Sequence, residues 1–217
     1  MKEKMKQSFF KSLRFRIMVL LVIIGILPCL IIEKVIVNSY ENRAVEWKKM
    51  NVKNQCDILG NQLMKEGYLE YQQSEVINGE LSILSTVYNG RILIINRSGR
   101  IIKDTYDIDE GKYMLSEEVI QCFEGVDTSY YDESNDYIEQ TVSLKDGKSK
   151  QIDGVMLVSI STGEIRDSIE ILEHRGNLLM LAISILVLVL GYLLSKSLVK
   201  PFTRVSKAIE ELTDGYL

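Results

Sequence analysis

The sequence predicts an α+β protein in which two transmembrane helices flank a mixed domain with an antiparallel sheet and a long N-terminal helix. Three observations lead there. The apolar residues of the 217-residue chain gather in two uncharged runs, "IMVLLVIIGILPCLII" from Ile17 and "GNLLMLAISILVLVLGYLLS" from Gly176. Between the runs, a helical spacing of three and four gives way to β-rich runs separated by glycine turns. Charge is also divided, since Glu33 to Arg175 holds 26 acidic and 16 basic side chains while the whole chain carries only −4.

The second run, Gly176 to Ser195, rises about 30 Å at 1.5 Å per residue, enough for a bilayer core. The first, placed at 17–37, follows a basic leader at 1–16 with six Lys/Arg against Glu3. A cleaved signal peptide would show a small-residue site after the apolar run. None follows, and the pattern carries on through Val35, Ile36 and Val37, so a retained anchor is expected. Pro28 is tolerable there, because neighbouring groups in a membrane helix can re-satisfy the carbonyl it frees. Lys196, Lys200, Arg204 and Lys207 follow the second run. The positive-inside rule then puts both termini in the cytoplasm and 38–175 outside. The localisation expected is a multi-pass cell-membrane protein in contact with membrane lipid. An outer domain this acidic argues against nucleic acid, since it repels phosphate.

Within 38–175, Val45, Val52, Cys56, Leu59 and Leu63 fall on one helical face, with Tyr40, Ala44 and Trp47 on a neighbouring one. The membrane helix is therefore expected to continue outward to about Gly67. A second helix carries Ile77, Leu81, Leu84 and Tyr88. "RILIIN" and "RIIKDTY" then read as a hairpin around Arg97-Ser98-Gly99, where Gly99 can take positive φ. Ser116 caps a short helix "EEVIQCF", with Glu117 and Glu118 at its positive end and Gly125 at its exit. "TSYY" adds a short strand. "YIEQTVSL" and "GVMLVSIS" form a second hairpin around Lys145-Asp146-Gly147-Lys148, and "GEIRDSIEILEHR" leads as a helix into the second span.

This order, together with "ILIINRSGRIIKDTY" and with "VSIS" feeding a membrane helix, resembles the extracytoplasmic PAS-like (Cache, or PDC) sensor domains of bacterial sensor histidine kinases over residues of about 40 to 175. In 196–217, "KPFTRVSKAIEELTDGYL" resembles the first helix of a HAMP linker. Its signalling elements would be Pro201, the stripe Val205, Ile209 and Leu212, and the terminal Gly215. The resemblance implies a homodimer whose HAMP helices form a parallel four-helix bundle, with a second HAMP helix and an output domain after Leu217. It also implies an unknown extracytoplasmic ligand or protein as stimulus, and a response regulator reached through a kinase domain absent from this sequence. The function expected is the sensory and transmembrane portion of a two-component sensor histidine kinase. The alternatives are the input half of a diguanylate cyclase or chemotaxis-type receptor, or a membrane-anchored binding protein.

No residues here suit ATP-dependent phosphotransfer, and neither catalytic residues nor a cofactor are expected. The single histidine, His174, reads as an interfacial polar residue, although His is the side chain most easily titrated near neutral pH. Asp104, Asp107 and Asp109, with Glu110, are weak candidates for a metal. Their spacing does not match an EF-hand, and a solvated acidic face is the simpler expectation. Asp127, Asp132, Glu133 and Asp136 are read the same way. For a ligand, Tyr106, Tyr131 and Arg91 are the candidates, within a wider set of Tyr113, Tyr130, Tyr137, Arg97 and Arg100. Cys56 and Cys122 lie where a disulfide is permitted, but helical-core thiols are the simpler expectation.

Overall fold

A computed structural model describes residues 13–71, 74–145 and 151–214. The chain divides into two compact units, one of Tyr40–Ile169 and one made of Met1–Ser39 with Glu170–Leu217.

The Tyr40–Ile169 unit is built on one sheet. The helix α1 (Leu13–Lys65) ends where Gly67 takes a φ of +65°, and is followed by the single turn α2 (Tyr68–Tyr71) and by α3 (Glu75–Val87). Ser74 caps α3 by accepting from the Ile77 N–H. The strands are β1 (Gly90–Asn96), β2 (Ile101–Asp104), β3 (Ser129–Asp132), β4 (Tyr137–Lys145) and β5 (Ile152–Ser161), with α4 (Glu117–Phe123) between β2 and β3. The helix α5 (Gly163–Asp214) leaves from the end of β5.

The sheet order is β2-β1-β5-β4-β3, and every neighbouring pair is antiparallel. Both strand pairs, β1 with β2 and β4 with β5, form where the sequence places them; the second turn, expected at Asp146-Gly147-Lys148, lies outside the described residues. At the first, Asn96 Oδ1 accepts from the N–H groups of Ser98 and Arg100, and Gly99 has a φ of +79° that a residue with a Cβ adopts only under strain. Ser116 caps α4 through the Val119 N–H, and Gly125 at its exit has a φ of +100°.

Two cores lie on opposite faces of the sheet. On one face the predicted α1 stripe, Val45, Val52, Cys56, Leu59 and Leu63, packs with Ile77 and Leu81 of α3 against Ile92, Ile94, Met156, Val158 and Ile160. Trp47, on the neighbouring α1 face, stays 64% exposed. On the other face α4 places Val119 and Cys122 over Leu93, Ile95, Val155 and Leu157. Cys56 and Cys122 are free and belong to different cores, so they do not pair. Burial pushes the Cys56 thiol up to about 12 and that of Cys122 up to about 11, so both are protonated and inert at neutral pH.

In the other unit, the two helical segments run antiparallel. A Cβ on Gly25 would meet Val187 at 2.9 Å, while Gly191 lies opposite Met18 and Gly176 opposite Glu33. Small residues at such points let helix backbones approach closely in a membrane. Met18–Lys65 and Gly163–Leu194 contain stretches long and apolar enough to cross a bilayer, with mean hydropathies of 2.7 and 2.5. Hardly any of either window is buried within the protein, at 0% and 6%, whereas a soluble core helix would be covered on most sides. α1 passes Pro28 without a break, and α5 passes Pro201. Of the HAMP-like positions, Pro201, Val205, Ile209 and Leu212 fall within the helical span of α5, and Gly215 lies outside the described residues.

Candidate functional site

Strand alternation fixes which residues share the α4 face. Directly opposed residues of neighbouring strands point to the same side. One row therefore runs Ile95, Val155, Ser143, the next Leu93, Leu157, Thr141, and a third Arg91, Ser159, Glu139, Tyr130. α4 packs on the apolar members of the first two rows. The third row is the polar edge of this face, with Arg91 at one end, Glu139 two strand spacings of about 4.8 Å away, and Ser159 on the strand between them.

Each member is held by its neighbours. Ser159 Oγ donates to Glu139 Oε2 at 3.0 Å. Burial raises the Glu139 carboxyl above the usual carboxylate range; the Ser159 hydrogen bond opposes this and the nearby Glu118 charge adds to it. Arg91 donates through Nε to Asp104 Oδ1 at 2.9 Å and through Nη2 to Asp109 Oδ2 at 2.6 Å, and it lies 6.0 Å from the centre of the Tyr106 ring. Its hydrogen bond to Asp104, helped by Asp109, raises the guanidinium further above its usual value although burial opposes this.

Asp104 organises the loop that follows β2. It is fully buried and accepts from the N–H groups of Tyr106 at 2.9 Å, Ile108 at 3.0 Å and Asp109 at 2.9 Å, in addition to Arg91. Burial alone would raise this carboxyl, but Arg91 and the three N–H donors more than offset it and hold it well below the usual range. The loop thereby carries Tyr106, half exposed, to the side of Arg91.

The structure thus brings together Arg91, Tyr106, Asp104 and Asp109 from the candidates named by sequence. Asp107 points elsewhere, to Lys103, which also binds Glu110. With Asp104 and Asp109 committed to Arg91, the three aspartates do not converge on an ion. Among the described residues no group of three His, Cys, Asp or Glu side chains is placed to hold a metal. The second acidic group is dispersed too: Asp127 meets Lys53 and the Ser143 N–H, Asp132 closes the turn to Asn135, and Asp136 meets Arg166.

Tyr131 lies apart from the site. Its position on β3 turns it to the α1 face, where its hydroxyl donates to Glu41 at 3.0 Å and burial with that carboxylate pushes the phenol up to about 12. Tyr130, one residue earlier, occupies the site face. Arg100 donates to the Gly111 carbonyl and Arg97 lies beside Gln151, so of the three arginines considered only Arg91 belongs to the row. His174 is exposed on α5. Sequence reasoning missed Glu139 and Ser159. The available signal was a charge at an alternate position of "YIEQTV" and a hydroxyl at an alternate position of "LVSIS".

No protein-family model matches the sequence, and no curated protein does. Among solved structures, the chain is similar to the ligand-binding domain of the Campylobacter jejuni chemoreceptor Tlp3, solved in complex with L-valine. The two share 13% identity with a TM-score of 0.40, over 61% of this chain and 60% of that one.

Proposed function

We propose that this chain is the sensory and transmembrane portion of a two-component sensor histidine kinase, with residues of about 38–175 outside the cell and both termini in the cytoplasm. The observation that carries the proposal is the architecture of the Tyr40–Ile169 unit. A five-stranded antiparallel sheet of order β2-β1-β5-β4-β3, with long helices on one face and a short helix on the other, supports reading it as a PAS-like sensor domain. It is inserted between two helices that qualify as membrane spans. The row Arg91, Ser159, Glu139, Tyr130 supplies hydroxyls and a carboxylate beside an arginine that Asp104 and Asp109 hold in place, which suits a small polar stimulus.

The output follows from the HAMP-like stripe after the second span: Val205, Ile209 and Leu212 would face the axis of a homodimeric bundle. Fusion and proteolysis test the topology. A reporter joined after Leu217 should be active only in a cytoplasmic format, and the 41–170 segment should be cut by protease added to cells stripped of their wall. Protection of that segment would overturn the reading. The coding sequence after Leu217 tests the output. A second HAMP helix and a His-bearing helix with an ATP-binding domain are expected, and a cyclase or methyl-accepting domain there would replace the kinase.

A further inference from the structure

A crevice of about 300 Å³ opens on the helical side of the sheet, at the end of the Tyr40–Ile169 unit where α1 enters and α5 leaves. The Arg91 row lies on the opposite face. Aromatic rings from Tyr40, Trp47 and Tyr88 line the crevice, with Val87 and the buried Ile165. The one cation among its lining residues is Lys48, whose side chain is only 11% exposed.

A lysine stem this covered leaves only the ammonium to find a partner, from water or from a close carboxylate. Lys48 does not have a close one. Its carboxylate neighbour is Glu164 Oε2 at 3.6 Å, longer than an N–H···O hydrogen bond, on a side chain that is 84% exposed. So loose and wet a contact contributes little. The crevice therefore presents a loosely paired cation on a covered stem between apolar walls, with its counter-charge free to swing into water.

We infer that this crevice binds a small organic monocarboxylate with an aromatic or short aliphatic body. The carboxylate sits on Lys48 in place of Glu164, and the body lies against Trp47, Tyr40 and Tyr88. One ammonium suits a single negative charge, whereas a phosphate dianion needs several charge-assisted donors. The volume lies at the lower end of small-molecule pockets and is near that of ten waters. Binding would replace a loose α1 to α5 contact with a tight one at the residues through which both helices leave the unit.

The test is independent of the sensor proposal, because it measures binding and not signalling. Trp47 is the single tryptophan of the chain, so intrinsic fluorescence of the full chain in an uncharged detergent reports the crevice directly. Phenylacetate should change that fluorescence saturably, and phenylacetamide, its uncharged counterpart, should not. Lys48→Met should weaken phenylacetate binding at least about ten-fold, the value of one charge-assisted hydrogen bond. Glu164→Gln alters an exposed side chain, so it should keep the parent melting temperature. It should also tighten binding by about two- to five-fold, the size of an exposed ion pair. Should Lys48→Met fail to fold, the Glu164→Gln result decides. Equal titration by phenylacetamide, an unchanged affinity in Glu164→Gln, or no saturable signal from the folded parent would each overturn the inference.

Discussion

Asp104→Asn is the substitution that best separates the Arg91 cluster from a decorative surface ion pair. It keeps the size of the side chain but replaces one acceptor oxygen with a donor and removes the charge. Asp104 is fully buried and receives five hydrogen bonds: two from Arg91 and three from the loop N–H groups of Tyr106, Ile108 and Asp109. An Asn can accept on one side only, so at least two donors lose their partner at about 1–3 kcal/mol each. Arg91 is about one-quarter exposed and keeps Asp109, so its charge is not left uncompensated and the lost hydrogen bonds set the size of the effect. About 4 kcal/mol is thus expected from a unit whose total stability is on the order of 5–15 kcal/mol. For a domain of this size that is a fall in melting temperature of roughly 10–20 °C.

The measurement is thermal unfolding of the full chain in detergent, followed by near-ultraviolet circular dichroism. The pH dependence gives a second readout. Because the folded-state carboxyl is depressed, the unfolded state takes up its proton first as pH falls. The contribution of Asp104 is therefore fully present above about pH 4 and is lost below it, as pH falls toward the depressed folded-state value. The parent should lose stability over that acid range, and Asp104→Asn should lose less. A variant that melts within about 3 °C of the parent, or one with an unchanged acid profile, would refute the account of Asp104 as the organiser of this loop.

Two further outcomes bear on signalling. Single cysteines at Val205 or Ile209 should cross-link between subunits faster than cysteines at Lys207 or Glu210, as a parallel bundle with the apolar stripe inward requires; equal rates around the helix would remove the bundle. Leu172→Pro in a full-length receptor should abolish the response to stimulus while leaving insertion intact, since proline interrupts α5 before about 20 apolar residues that still span. A normal response from that variant would mean that the signal does not pass along α5.

What the sequence alone determined was everything with a local cause. The two apolar runs are helical and long enough to cross a bilayer. The stripe Val45, Val52, Cys56, Leu59, Leu63 is buried as its spacing requires, and Ser116, Gly99 and Gly125 end or turn the chain through their own backbone chemistry. The tertiary structure decided the site. Alternation in "YIEQTV" and "LVSIS" divides residues between two faces, but it does not say which strand lies beside which, nor which part of a face α4 will cover. Only the central placement of β5 puts Ser159 between Arg91 and Glu139, and only the pairing of β3 with β4 sends Tyr131 to the α1 side while Tyr130 joins the row. Likewise, Asp104, Asp107 and Asp109 read as a solvated acidic face and only weakly as an ion site, but Asp104 is fully buried, and Arg91 takes two of them and Lys103 the third. A buried carboxylate takes the nearest cation that costs least to desolvate, and in a folded chain that cation comes from a neighbouring strand whose register the local sequence does not encode.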